Sequence, residues 1–198
     1  MPKPLSEMTL EELWQLFPIL LRDHNPAYSQ WYREEADALE QALGSDAVAR
    51  MEHIGSTAVE GLLAKPTVDI LLELRPSCDI TRLREALAAA GWGCMNSQTK
   101  PLFQLDYNKG YTPEGFADRV FHLHIRYTGD WDELYFRDYL RLHPEVAREY
   151  AALKRGLLQT YEHDRDGYTA AKTAFVREHT AAARALFGPR YAVTDTAD

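Results

Sequence analysis

A short segment at Gly55, Ser56 and Thr57 contains residue types that suit phosphate binding, and an aspartate follows it closely. Glycine and small hydroxyl residues at a strand end let the backbone approach an anion, and a helix starting there offers free N–H groups. Asp69 follows Ser56 by thirteen positions on the next predicted strand, where its carboxylate could bind Mg²⁺ against phosphate oxygens. The same residues also fit a tight turn with a helix cap, in which Asp69 makes a structural hydrogen bond.

Two histidines form a second group that could bind a metal. His122 and His124 share one face of a predicted strand because they are two positions apart, while apolar residues fill the other face. With His53 and Asp69 they could form a His/carboxylate site, for which imidazole suits Zn, Mn, Fe or Ni better than Mg. The alternative is a pair of half-exposed histidines that hydrogen-bond neighbouring loops.

Positive charge for phosphate groups could come from Lys65 and from residues spaced four apart on predicted helices. Arg137 and Arg141 would form a phosphate fork on one helix. Tyr168 and Lys172 would offer an aromatic ring for a base and an ammonium for a phosphate on another. Ordinary ion pairing with nearby carboxylates explains the same residues equally simply.

The elements that must position these side chains follow from capping signals and periodicity. A capping-box spacing from Thr9 to Glu12 predicts a first helix, which Pro18 ends or kinks, with the chain at 19–21 able to continue it. Residues 108–115 are rich in turn formers. Apolar periodicity predicts further helices over Tyr28–Leu43, 79–90, 131–142, 144–160 and 167–187. Strands are predicted over 47–54, 67–74, 101–107 and 119–126.

This order of elements indicates one α+β domain over residues 1–198, with a helical C-terminal third. Residues 1–45 supply N-terminal helices, residues 46–128 a mixed sheet core, and residues 130–187 the C-terminal helices. The 198 residues, of which 45% are hydrophobic, are enough to bury a proper core.

Composition also excludes several classes of protein. The net charge of −8 argues against a nucleic-acid coat, which needs a basic stripe. The first residues lack a signal-peptide apolar run, and no stretch approaches the roughly 20 apolar residues of a membrane span. The spacing of Cys78 and Cys94 fits neither a zinc motif nor a disulfide framework. We therefore expect a cytoplasmic protein with reduced thiols and no membrane partner.

Several separate motifs resemble the GrpB-like family. The resemblance runs from about Leu13 to about Leu186 and is strongest in HIGSTAVEGL at 53–62, AKPTVDI at 64–70, NKGYT at 108–112, FHLH at 121–124, YFRDYLR at 135–141 and YTAAK at 168–172. It implies the nucleotidyltransferase superfamily with its polymerase-β-like fold, a mixed sheet flanked by helices. Superfamily members carry a Gly-Ser pair, two carboxylates one residue apart on a strand, and a third carboxylate on a later strand.

The chain departs from that pattern at one position. Gly55-Ser56 and Asp69 match the first elements, but Leu71 stands where the second carboxylate is expected. Glu73 lies four residues beyond Asp69 on the same strand face and could substitute for it. Glu52, before the Gly-Ser turn, is another substitute, and His122 or His124 could replace the third carboxylate.

The resemblance implies a metal-dependent nucleotidyltransferase, or a related phosphate-directed transferase, acting on a small molecule. Asp69, Ser56 and Glu73 would be catalytic, the metal would be Mg or Mn, and a nucleoside triphosphate would be a substrate. A transition metal would replace Mg if the histidines ligate. The missing carboxylate leaves two alternatives, a catalytically degenerate module that binds a nucleotide or another anion, and a His/Asp metal-dependent hydrolase.

Overall fold

The computed structural model describes residues 2–192, in which a mixed sheet is flanked by helices. The helices are α1 (Leu10–Leu16), α2 (Tyr28–Leu43), α3 (Ile80–Ala89), α4 (Asp132–Leu142), α5 (Pro144–Tyr161) and α6 (Arg165–Phe187). The strands are β1 (Val48–Ile54), β2 (Val68–Leu74), β3 (Gly93–Gln98), β4 (Gln104–Thr112) and β5 (Gly115–Tyr127). Short 3₁₀ helices lie at Leu5–Glu7 and Ser56–Ala58. Within residues 2–192, no helix has the length and apolarity needed to cross a membrane.

The strand order β1-β2-β5-β4-β3 confirms the predicted mixed sheet. β2 and β5 are parallel, and the other neighbouring strands are antiparallel. Ile70 and Leu72 of β2 pack on one face with the core that α2 and α3 complete. Leu71 points to the other face, where it packs with Ile54 and with Leu134 of α4. The C-terminal helices thus cover the face from which Asp69 also projects.

The structure decides between the two alternatives for the chain around Pro18, which were an end of the first helix and a kink after which it continues. The capping box at Thr9 is present, but the helix ends at Leu16 and residues 19–21 do not continue it. The Ile19 N–H instead donates to the Glu162 carbonyl, and Arg22 forms a bridge with Ala64. An extended chain suits this segment because the proline removes a helical donor and disfavours the helical conformation just before it.

One prediction, which concerns the middle of the sheet, was wrong. The segment at 108–115 belongs to a hairpin, since β4 continues to Thr112 and β5 begins at Gly115. Gly110, at φ +91°, lies where the β4–β5 register shifts, so a turn-forming residue here makes a bulge. β3 was not predicted because this edge strand is largely exposed and lacks alternating apolar residues.

The register of the sheet decides which polar side chains meet. On β5, His122 lies opposite Asp69 of β2, and His124 lies opposite Asp106 of β4. Directly opposed residues project to the same face, so these four side chains share the face covered by the C-terminal helices. His53 of β1 lies opposite Ile70, so its side chain projects to the other face of the sheet.

Candidate functional site

Asp69, His122 and His124 converge on one face of the sheet. The Asp69 Oδ1 atom lies 3.2 Å from His122 Nδ1 and 3.6 Å from His124 Nε2. One ligand atom from each of the three residues lies within 4.8 Å of the others. Two imidazoles and a carboxylate at this spacing can hold one metal ion.

A ring of polar residues surrounds the two imidazoles. His124 Nδ1 lies 3.0 Å from Asp106 Oδ1, and His122 Nε2 lies 2.8 Å from Tyr111 Oη. The Tyr111 hydroxyl also accepts a hydrogen bond of 3.1 Å from Arg165. The Asp106 carboxylate accepts further hydrogen bonds from Asn96, Gln104 and Arg126.

Hydrogen bonds between the acids and the imidazoles of this cluster shift the pKa values of both. Burial alone would raise the pKa of Asp69, but hydrogen bonds with His122 and His124 outweigh it and hold the pKa well below its usual range. Burial would lower the pKa of His124, yet its hydrogen bonds with Asp106 and Asp69 raise it to about 9. In the free protein His124 is therefore protonated at neutral pH between two carboxylates, and a metal ion that binds its Nε2 atom would displace that proton.

Gly55 allows the backbone to pass directly against Asp69. Its φ is +71°, and an added Cβ would lie 3.1 Å from the Asp69 Cγ atom and closer still to Oδ2. A side chain at this position would therefore displace the carboxylate. The predicted close approach is present, although the helix that follows is a three-residue 3₁₀ helix.

Thr57 is buried rather than open to a ligand. Its hydroxyl lies 3.0 Å from His53 Nε2 and donates to the Thr67 carbonyl at 3.1 Å. The His53 ring stacks on Tyr32 of α2, on the sheet face opposite Asp69, and its burial lowers its pKa to about 4. Thr57 and His53 therefore stabilise the turn through contacts on the sheet face opposite Asp69, and neither belongs to the metal cluster.

Three lysines lie close to one another, and one of them contacts the Gly55-Ser56 turn. Lys154 of α5 is only 3% exposed, and its ammonium donates to Ser56 Oγ at 3.0 Å and to the Leu63 carbonyl. Burial, followed by repulsion from Lys172 and Lys65, lowers the pKa of Lys154 to about 7. Burial and the charge of Lys65 lower the pKa of Lys172 to about 8.

The negative charge of Asp69 raises the pKa of Lys65 and of Lys172, but this effect is smaller than the opposing effect of burial. Among residues 2–192, no carboxylate lies within 4.0 Å of the ammonium of Lys65, Lys154 or Lys172. Lys172 lies over the Tyr168 ring at 4.4 Å, and this ring is fully buried and so closed to a stacking base. Lys154 is buried, whereas Lys65 and Lys172 are partly exposed. An unpaired buried ammonium group is costly, so a bound anion would relieve the repulsion among the three lysines.

Glu73 does not supply the missing second carboxylate. Its side chain is fully buried, pairs with Arg50, and accepts a hydrogen bond of 3.1 Å from the Gly129 N–H. Glu52 is also engaged, because its carboxylate accepts from Arg137 at 2.7 Å. Neither glutamate is free to bind a metal beside Asp69.

Arg137 and Arg141 bind protein groups rather than forming an open fork. Arg137, 5% exposed, donates to Glu52, to the His53 carbonyl at 3.0 Å and to Asp138 at 2.9 Å. Arg141 donates to the Ala58 carbonyl at 2.8 Å and is half exposed. Both arginines therefore join α4 to the chain around the Gly-Ser turn.

This placement predicts unequal effects on stability. Replacing Arg137 by methionine should lower the free energy of unfolding by about 3 kcal/mol, because it leaves Glu52 and Asp138 without their buried partner. The matched change at half-exposed Arg141 should cost about 1 kcal/mol. Urea unfolding measures both. Equal stability of the two variants, with nucleotide binding lost only at Arg137, would instead make Arg137 a ligand-binding residue.

A cavity of about 630 Å³ opens beside the cluster, between the sheet and the C-terminal helices. Gly55, Ser56, Asp69 and His124 line its floor. Its walls combine an apolar and aromatic part with charged side chains. The first part is formed by Ile54, Trp131, Phe136, Leu140, Tyr150 and Val176, and the charged side chains are Asp130, Asp132, Glu133, Arg137 and Arg184. Such a cavity can hold a flat organic group with its charged end at the Gly-Ser turn.

The site fits one metal ion rather than the carboxylate-bound pair expected for the superfamily. A two-metal centre needs several anionic oxygens around ions about 3.5–4 Å apart. Leu71 is fully buried in an apolar contact, and the nearby glutamates are paired with arginines. Asp69, His122 and His124 are the donors that converge among the described residues.

The Gly-Ser turn and the aspartate on β2 are thus positioned by the five-stranded mixed sheet of an α+β fold. The chain belongs to the GrpB family, described as GrpB protein, which matches residues 18–182.

Similar proteins come from several bacteria. The chain is 40% identical over 155 residues to a UPF0157 protein of Pseudomonas aeruginosa, covering 77% of this chain and 62% of that protein. The chain thus spans less than two thirds of that relative. It is 30% identical over 167 residues to the glutamate-rich protein GrpB of Alkalihalophilus pseudofirmus, covering 81% and 92%. The crystal structure of conserved protein GrpB from Enterococcus faecalis is similar, with a TM-score of 0.71, 28% identity, and coverage of 85% and 99%.

Sequence reasoning missed Lys154, Asp106 and Tyr111. Lys154 follows the buried Tyr150 by one helical turn, so its place on the buried face of α5 was a readable signal. Asp106 lies between two apolar residues of β4 and therefore points away from their core. Tyr111 lies in the segment that had been assigned to a turn.

Proposed function

We propose that this GrpB-family protein is a metal-dependent transferase acting on a phosphate group of a nucleotide-like small molecule, with nucleotidyl transfer as its reaction. One observation carries the proposal. The Gly55-Ser56 turn passes against Asp69 of the carboxylate and imidazole cluster at Gly55, and its Ser56 hydroxyl accepts a hydrogen bond from the buried Lys154. A phosphate at this turn would have a metal-binding carboxylate on one side and positive charge on the other.

The lysines are suited to hold the phosphates before reaction. An ammonium has three N–H donors, and Lys154 uses two of them on Ser56 and Leu63, which leaves a third for a phosphate oxygen. Its hydrogen bond also orients the Ser56 hydroxyl. Lys65 and Lys172 add charge that counters the negative charge of a polyphosphate, both bound and in the transition state.

Asp69 is the residue on which chemistry depends. Its low pKa keeps it ionised at neutral pH, as a metal ligand must be. A metal ion held there would act as a Lewis acid on a phosphoryl oxygen. The apolar part of the cavity would receive the uncharged part of the substrate and exclude water from the reacting phosphate.

A second candidate function is a module that binds a nucleotide without turning it over. Leu71 occupies the place of the second carboxylate, and Glu73 is committed to Arg50. This loss of anionic ligands favours binding over catalysis, because the lysines need no metal to hold an anion.

One experiment separates the two functions. Purified protein is mixed with each nucleoside triphosphate, with Mn²⁺ or Mg²⁺ and with a small-molecule extract of bacterial cells as acceptor source, and thermal stabilisation and pyrophosphate release are measured together. Stabilisation with pyrophosphate release supports the transferase, and stabilisation without it supports the binding module. Neither stabilisation nor release would contradict both.

The lysine group gives a separate prediction about affinity. Replacing Lys154 by methionine should weaken binding of a nucleoside triphosphate by about 10- to 100-fold, the equivalent of one charge-assisted hydrogen bond. Isothermal titration without metal measures the change. Lys100, exposed in a loop, provides the matched control when also replaced by methionine. Equal affinity in the two variants would show that Lys154 does not contact the ligand.

A further inference from the structure

Each imidazole of the cluster is held through the ring nitrogen that faces away from Asp69. His124 turns Nε2 towards Asp69 and Nδ1 towards the Asp106 carboxylate. His122 turns Nδ1 towards Asp69 and Nε2 towards the Tyr111 hydroxyl. Metal-binding histidines commonly have this arrangement, in which an outer partner fixes the tautomer and the orientation of the ring.

The outer partners are themselves fixed. Asp106 is largely buried, and Arg126 and two side-chain amides hydrogen-bond its carboxylate. Tyr111 packs edge-on against Phe17 and accepts a hydrogen bond from Arg165. These contacts fix the orientation of the two imidazole rings before an ion binds. Less conformational entropy is therefore lost on binding.

We propose that Asp69, His122 and His124 bind one transition-metal ion, of the Mn, Fe, Co, Ni or Zn class, and that Asp106 and Tyr111 are its positioning residues. The role of the ion in catalysis rests on the proposed function. Binding of the ion to these residues does not depend on that function. Two imidazoles and one carboxylate suit such ions. Mg²⁺ prefers oxygen ligands, and the additional carboxylates that the superfamily offers it are missing here.

The test uses the full chain stripped of metal with a chelator. Titration with Co²⁺, followed by its visible absorption, and with Zn²⁺ and Mg²⁺, followed by calorimetry, gives stoichiometry and affinity. We expect one Co²⁺ or Zn²⁺ per chain, bound at least 100-fold more tightly than Mg²⁺. Replacing both His122 and His124 by alanine should abolish the Co²⁺ spectrum.

The positioning residues are tested by their effect on the same spectrum. Asp106→Asn should weaken Co²⁺ binding by about 10- to 100-fold and shift the absorption bands, and Tyr111→Phe should weaken it less. Asp118→Asn, an exposed change on the same strand as the histidines, is the matched control and should leave binding unchanged. Asp106→Glu should restore part of the affinity, which separates positioning from a fault in folding. Circular dichroism of each metal-free variant checks the fold.

Several results would overturn the inference. Equal or tighter binding of Mg²⁺, a Co²⁺ spectrum that survives loss of both histidines, or equal effects of Asp106→Asn and Asp118→Asn would each do so. Metal binding as expected without nucleotide turnover would overturn the proposed function alone. Turnover with Mg²⁺ in a chain that binds no Co²⁺ would overturn this metal site alone.

Discussion

Replacing Asp69 by asparagine is expected to lower nucleotide turnover by about a thousandfold or more, a loss of about 4 kcal/mol of transition-state stabilisation. Asparagine keeps the size of the side chain but removes the negative charge between His122 and His124. Without that charge the cluster loses its one anionic ligand, and an amide binds a transition metal poorly. Rates with saturating nucleotide and metal give the effect on turnover itself.

Two further measurements make this variant decisive. Nucleotide affinity without metal should fall little, because the lysines at Ser56 remain and one carboxylate that would repel phosphate is gone. Asp118→Asn, the same change at an exposed position of β5, should keep full turnover. An Asp69→Asn protein with unchanged turnover would contradict any role of this carboxylate in catalysis.

The second large effect is expected at Gly55. An alanine there should lower turnover and Co²⁺ affinity by about 100-fold, because its Cβ would push against the Asp69 carboxylate and a displacement of about 1 Å is enough for such a loss. The positive φ adds backbone strain of about 1–3 kcal/mol, which should appear as a lower melting temperature. Enzyme kinetics and the Co²⁺ spectrum measure the first effect, and thermal unfolding the second.

Gly61 provides the matched control. It also has a positive φ, +73°, but nothing lies within 4 Å of an added Cβ. Gly61→Ala should therefore show the loss of stability with nearly normal metal binding. If both alanine variants lost stability alike and both kept turnover, close approach of Gly55 to Asp69 would have no part in the function.

The fold followed largely from the sequence because its signals are local. The capping box at Thr9 and the apolar periodicity of Tyr28–Leu43 each lie within one element, and the structure confirms both. β3 escaped prediction because it is largely exposed and lacks alternating apolar residues, and the ends of β4 and β5 were missed because their residues are typical of a turn. A glycine such as Gly110 predicts a turn from sequence, but in the structure it forms a β-bulge between β4 and β5.

The candidate site was only partly predictable, since sequence spacing gives a strand face but not the neighbouring element. Asp69, His122 and His124 meet because β2 and β5 are parallel and in register. Glu73 lies on the same strand as Asp69, yet its environment is decided by Arg50 on β1. Lys154 reaches Ser56 across 98 positions of sequence, a contact that no local pattern reveals.

The most direct test follows the fate of a labelled phosphate. The protein, with Mn²⁺, is incubated with nucleoside triphosphates labelled at the α or the γ phosphate and with a small-molecule extract of bacterial cells as acceptor source. We expect the α label to move to a small molecule while the γ label leaves as pyrophosphate, and we expect Asp69→Asn to abolish both. Tight binding of the nucleotide with both labels unchanged would contradict transfer and leave a binding module.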